Sequence, residues 1–233
     1  MKEKTNFVRD DVIELSDSDI SSDTIDDVSF ISRKKYKHPI EIYNELNRIT
    51  RISVCNRILS HSDFLTLCHN AWLNDKIINC YLELLSKYNN HVKIFNTHFY
   101  PNLIKNPEFD GRELSKTDMN KKLFIFPINN RFHWSLLIFD KEFLKYYDSL
   151  PQLNVLAVKV IKKYLMHKFN LPRLFVKNMI NFPKQSNSDD CGVYLCQYTK
   201  YIIYDLQIFS SSDINSLRAQ MLHELLICEI IYH

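Results

Sequence analysis

The sequence predicts an α+β domain with a mostly antiparallel central sheet flanked by helices. Three strand-like runs follow one another through short polar connections, as in an antiparallel meander. Segments with helical apolar spacing lie before and after these runs and do not alternate with them. The 233 residues are 45% hydrophobic and 13% aromatic, enough for one sizeable core.

Taken in order, Ile40 to Ile52 has apolar residues at helical spacing. Ser62-Asp63-Phe64-Leu65 looks like a capped short turn. Asn74 to Tyr88 is an amphipathic helix, with Asn74 or Asp75 able to cap it and Ile77, Ile78, Tyr81, Leu82 and Leu85 on one face. The three strands are Leu123 to Ile128, His133 to Phe139 and Phe143 to Tyr147, with turns at Asn129-Asn130 and Asp140-Lys141-Glu142. Helical spacing returns over Leu153 to Phe169. Leu174 to Ile180 is a short strand, and Asn181 to Asp190 a polar loop. Cys191 to Leu206 and Ile214 to Ile231 form the last two helices.

The N-terminal residues differ from the rest. Residues 1–32 carry three basic and nine acidic side chains interleaved with serines, a net of −6, whereas the remainder carries +9. Such a segment cannot bury enough apolar surface to order itself, so residues 1–37 are expected to be a flexible tail and 38–233 one domain. The overall charge of +3 is too small to argue for nucleic acid. No run approaches the roughly 18–20 apolar residues of a membrane span, and the charged start lacks the apolar stretch of a secretory signal. The six Cys form no CxxC pair and are expected to be reduced thiols.

Chemistry gathers at the element junctions. Cys191 falls where a polar loop becomes a helix, and a thiol in the first helical turn feels the positive end of the macrodipole, which favours thiolate. Gly192 beside it is expected to leave room for a substrate backbone. His133 starts one strand and Asp148 ends its neighbour, so a hairpin can set a carboxylate beside an imidazole. Gln185 offers an amide donor for a developing oxyanion. A thiol, an imidazole, an orienting carboxylate and an amide donor are the parts of a cysteine acyl-transfer site. The ordinary alternatives are a structural cysteine, a satisfied strand histidine and a turn aspartate.

Four blocks carry a resemblance. Trp72-Leu73-Asn74-Asp75, Phe132-His133-Trp134-Ser135, Tyr147-Asp148-Ser149-Leu150 and the run from Gln185 to Tyr194 resemble, in order, the signature blocks of the ubiquitin-like-protein-specific proteases, the Ulp/SENP family of SUMO proteases. Phe95 to Leu103 resembles the segment between the first two blocks. The resemblance covers roughly residues 40–233 and implies a papain-like cysteine protease fold. It makes Cys191 the nucleophile, His133 the general base, Asp148 its orienter and Gln185 an oxyanion donor. Trp72 and Trp134 match two tryptophans that enclose the modifier's terminal Gly-Gly. Asn74 belongs to the same substrate-facing block, and Asp75 matches an acidic residue that pairs with an Arg of the modifier. Asp189 departs from the pattern and is expected to point to solvent, and Pro101 to Asn120 is less recognisable.

The implied function is hydrolysis after the Gly-Gly of a SUMO-type modifier, from precursors or lysine conjugates, without metal or organic cofactor. In the tail, Val12, Ile13 and Leu15 between acids and serines resemble a SUMO-interacting motif that adds a strand to the modifier's sheet edge. Ser16 and Ser18 are plausible phosphorylation sites, and Arg33-Lys34-Lys35-Tyr36-Lys37 reads as a nuclear localisation patch or a solvated linker. A monomer in the nucleus, at the nuclear envelope or in the cytoplasm is implied, with SUMO-conjugated proteins as partners. The rival readings are the same chemistry on ubiquitin or a Nedd-type modifier, a catalytically silent SUMO-binding adaptor, an acyltransferase and a nucleic-acid binder.

Overall fold

The computed structural model describes residues 51–55, 57–106 and 114–232. The tail with Val12, Ile13 and Leu15, the basic cluster Arg33–Lys37 and Gly111 lie outside these residues.

Strands β1 (Arg51–Val54) and β2 (Arg57–Ser60) form an antiparallel hairpin. The helical spacing read over Ile40 to Ile52 therefore fails at its last two residues, because Arg51 and Ile52 pair with Ser60 and Leu59. Cross-strand pairing overrides a weak local preference here. The rest of that segment is outside the described residues. Helix α1 (His61–Leu65) starts at a capping box made by Ser60 and Asp63. Helix α2 (Asp75–Ser86) starts at Asn74, whose Oδ1 accepts the Ile77 N–H at 2.9 Å, and it buries Ile77, Ile78, Tyr81, Leu82 and Leu85.

The main sheet has five strands in the order β3 (Val92–Ile94), β4 (Leu123–Asn130), β5 (His133–Phe139), β6 (Phe143–Tyr147) and β7 (Phe175–Asn178). The meander β4-β5-β6 is antiparallel, and β3 and β7 join its two edges in parallel. Parallel neighbours need crossover connections, and helices supply them. Helix α3 (Phe99–Lys105) lies between β3 and β4, and α4 (Val155–Lys168) between β6 and β7.

Both faces of the meander are buried. Ile125, Trp134, Leu136, Ile138 and Tyr147 point into one core with residues of α2, of α5 (Cys191–Ile203) and of α6 (Ile214–Ile227). Phe124, Phe126, Leu137, Phe139, Leu144 and Tyr146 point into a second core with α3 and α4. Alternate residues serve opposite layers, which is why these strands read as continuous apolar runs. Helices α5 and α6 stop at Ile203 and Ile227, before the expected Leu206 and Ile231. Cys228, with a left-handed φ of 55°, ends α6.

Among the described residues no helix is long and apolar enough to cross a membrane. All six Cys are free thiols.

Candidate active site

Helix α5 begins at Cys191 and is buried along most of its length, so the thiol sits at a fixed point in the core, 2% exposed. Its backbone N–H is among the first four of the helix, which have no carbonyl partner within the helix. The following Gly192 is required by packing. A Cβ there would lie 2.8 Å from Leu73 Cβ and 3.3 Å from Ile78 Cδ1. The close approach is to the α2 side of the core, which corrects the expectation that Gly192 makes room for a substrate.

His133 opens β5 and Asp148 follows the end of β6, and the antiparallel pairing of these strands brings their side chains together. His133 Nε2 lies 2.6 Å from Asp148 Oδ1. That carboxylate also accepts Tyr146 Oη at 2.6 Å and the Leu150 N–H at 2.8 Å. With Nε2 occupied, the hydrogen bond from the ring to Cys191 falls to Nδ1. Burial alone would lower the basicity of His133. The hydrogen bonds to Asp148 and Cys191, with their charges, outweigh it and hold the imidazole at about 9. The ring is therefore charged at neutral pH beside the thiol.

Gln185 is held by the residue after Asp148. Ser149 is 1% exposed, its carbonyl accepts the Gln185 N–H at 3.0 Å, and its hydroxyl donates to Gln185 Oε1. Gln185 Nε2 donates to the Asn187 carbonyl at 2.7 Å. A carbonyl can only accept, so this contact fixes which end of the amide is nitrogen and leaves a second N–H for an oxyanion. Tyr194 Oη donates to the Lys184 carbonyl at 3.0 Å and Tyr198 Oη to that of Pro183, pinning the loop to α5. Lys184 Nζ donates to the Asp148 carbonyl at 2.6 Å.

The two tryptophans differ. Trp134 is 8% exposed and its Nε1 donates to the Leu73 carbonyl at 3.3 Å. Trp72 is 50% exposed and packs against Phe132, 73% exposed, with ring centroids 5.7 Å apart. Asn74 has both polar atoms engaged within the chain, as the α2 cap and through Nδ2 on Asp63 Oδ1 at 2.9 Å. Asp75 is half-buried on the first turn of α2 and pairs with His98 Nε2 at 3.3 Å. Asp189 is half-buried and its carbonyl accepts from Arg218 at 3.2 Å.

Sequence reasoning assigned no role to Ser149, Asp190, Tyr146 or Phe132. Ser149, Asp190 and Phe132 stand next to Asp148, Cys191 and His133 within the signature blocks, and that adjacency was the available signal. Among the described residues no cluster of three or more His, Cys, Asp or Glu could hold a metal ion.

An α+β fold that seats a cysteine at a helix start against a histidine and an aspartate from neighbouring strands is that of the papain-like cysteine proteases. A family model described as the Ulp1 protease family, C-terminal catalytic domain, matches residues 71–230, and the chain belongs to that family. It is 30% identical to human sentrin-specific protease 2 over 189 residues, 72% of this chain and 32% of that protein. It is 32% identical to mouse sentrin-specific protease 3 over 201 residues, 80% of this chain and 35% of that protein. The chain thus spans only about a third of the length of these relatives. Its fold is similar to the C-terminal Ulp1 protease domain in complex with SMT3, the yeast ortholog of SUMO. The TM-score is 0.69 at 26% identity, covering 80% of this chain and 94% of that one. A SUMO protease Ulp1 whose catalytic cysteine is oxidised to a sulfenic acid gives 0.70 at 26% identity, covering 83% and 96%.

Proposed function

We propose that this chain is a cysteine protease that hydrolyses the bond after the C-terminal Gly-Gly of a SUMO-type modifier, whether that bond leads to a lysine side chain or to a precursor peptide. The observation that carries the chemistry is the seating of Cys191 at the start of α5 against a charged His133 that Asp148 holds at 2.6 Å. The names of the relatives, sentrin-specific proteases and a Ulp1 domain bound to SMT3, support the substrate class.

In this mechanism the Cys191 thiolate attacks the carbonyl carbon of the last glycine. The oxyanion takes hydrogen bonds from the free Gln185 Nε2–H and the Cys191 backbone N–H. The C–N bond breaks as His133 gives its proton to the leaving nitrogen. Water then attacks the thioester, His133 accepts the proton, and the sulfur departs as thiolate. Trp134 and the exposed Trp72 line the approach, where residues without side chains fit between flat rings. Asp75, half-buried on the first turn of α2, pairs with an arginine of the modifier.

Residues 38–233 form the catalytic unit in this reading. Residues 1–37 add a second contact, in which Val12, Ile13 and Leu15 extend the modifier's sheet and the acidic flank meets basic side chains. The basic cluster Arg33–Lys37 fits a nuclear location, and the chain works as a monomer.

The test is covalent labelling by C-terminal electrophile probes built on SUMO, ubiquitin and a Nedd-type modifier, with Cys191→Ala as the control. Labelling by the SUMO probe that disappears in the variant is the expected result. Labelling by another modifier alone overturns the substrate class, and labelling by none overturns the protease reading.

A further inference from the structure

Arg218 lies in the middle of α6, 1% exposed, and belongs to none of the four signature blocks. Its guanidinium has five N–H donors, and all are used. Nε donates to Asp190 Oδ1 at 2.8 Å, and Nη2 lies 2.6 Å from the same oxygen. Nη1 donates to the carbonyls of Thr66 and Cys68 at 3.2 and 3.1 Å. Nη2 donates to the carbonyls of Ala71 and Asp189 at 2.8 and 3.2 Å.

The positions of these acceptors matter. Asp190 immediately precedes Cys191, and Ala71 immediately precedes Trp72. Without the guanidinium, the carbonyls of Thr66 and Ala71 and the Oδ1 of the 5%-exposed Asp190 would lose these hydrogen bonds. The other oxygen of Asp190 accepts Asn187 Nδ2 at 2.7 Å, and the Asn187 carbonyl orients the Gln185 amide. One buried cation thus joins the segment leading to Trp72, the start of the nucleophile helix and, through Asp190 and Asn187, the oxyanion donor.

We propose that Arg218 is a positioning residue that sets the spacing between the Trp72 wall and the Cys191–Gln185 wall of the cleft. It touches neither substrate nor reacting atoms. The proposal rests on the protease reading above and names a residue on which that site depends. A lysine keeps the charge but has three donors on a flexible stem, and it cannot span acceptors on both walls. Misplacing a substrate wall by about 1 Å slows a positioned reaction by about a hundredfold.

The experiment compares wild type and Arg218→Lys with two thiol reagents. One is a SUMO probe with a C-terminal electrophile, which must thread the cleft. The other is iodoacetamide, which needs only an accessible thiolate, with alkylation read at Cys191 by peptide mass spectrometry. Thermal unfolding and circular dichroism monitor the fold. The proposal expects Arg218→Lys to react about a hundredfold more slowly with the probe while Cys191 alkylation stays within about threefold of wild type. Asp190→Asn, which removes the charge and keeps an oxygen, should give the same split to a smaller degree. Should Arg218→Lys fail to fold, Asp190→Asn decides the matter alone.

Adding methylguanidinium to Arg218→Ala should restore part of the probe reaction. Wild-type probe rates in a folded Arg218→Lys overturn the proposal. Equal slowing of both reagents also overturns it, because a merely structural role predicts that result. Wild-type protein that ignores the probe overturns the protease reading and the clamp with it, which separates the two failures.

Discussion

The His133–Asp148 contact can be tested through its proton. The imidazole stands at about 9 against an ordinary 6.5, a difference of about 3 kcal/mol in favour of the charged ring. Burial works against that charge, so the carboxylate and the thiol supply more than the net figure. Because the folded value is raised, the contribution to native stability is complete below about pH 6.5 and is lost as pH rises through about 9. Activity should follow the same proton, with the alkaline limb of kcat/KM near pH 9 where the imidazolium is lost. Asp148→Asn keeps an oxygen for the Leu150 N–H and removes the charge. The alkaline limb should then move down by about 1–2 in pH, and kcat/KM at neutral pH should fall about ten- to a hundredfold. The fall in melting temperature between pH 6.5 and 9 should also flatten. The assay is hydrolysis of a SUMO–fluorophore conjugate across that range, with calorimetry at each pH. An alkaline limb that stays near pH 9 in a folded Asp148→Asn would refute the assignment of Asp148 as the group that holds this proton.

Ser149→Ala frees Gln185 Oε1 and should lower kcat about tenfold with KM nearly unchanged, whereas Ser149→Thr should recover part of the loss; steady-state kinetics decide it. Trp72→Ala should raise KM for the modifier with little change in melting temperature, since that ring is half exposed. Trp134→Ala should cost about 3 kcal/mol of stability as well as activity, because its ring is buried and its Nε1 is bonded; urea unfolding separates the two. Gly192→Ala forces a methyl against Leu73 and should destabilise the domain by about 1–3 kcal/mol in the same urea assay.

Much of this was legible in the chain because the signals were local. Asn74 before a run of helical apolar spacing, and three apolar runs with polar turns, are patterns that tertiary contacts reinforce. Strand β3 was not legible, because three residues are too few to show alternation and its partner lies on a distant strand. The β1–β2 hairpin was missed for a related reason: four-residue strands take their identity from pairing. At the site, the residue types of Cys191, His133, Asp148 and Gln185 named the chemistry, and the fold brings His133 and Asp148 into contact. Ser149, Asp190 and Arg218 were not visible as parts of the site. Ser and Asp are ordinary turn residues in sequence, and a buried arginine on a helix declares itself only when its acceptors converge from two separate segments. The role expected of Gly192 failed because a sequence does not say which neighbour presses on a missing Cβ.

Just past the end of β6, Asp148 and Ser149 stand side by side, and their side chains reach different partners, His133 and Gln185. In the proposed mechanism one of them addresses the proton carrier and the other the amide that meets the oxyanion. Two chemical stages of the proposed mechanism, charge separation at the start and charge accumulation at the tetrahedral intermediate, therefore depend on a single peptide unit. In that mechanism an insertion, deletion or register slip at this point should harm both stages together. A change to one side chain acts on one task, whereas a shift of the backbone here acts on both at once.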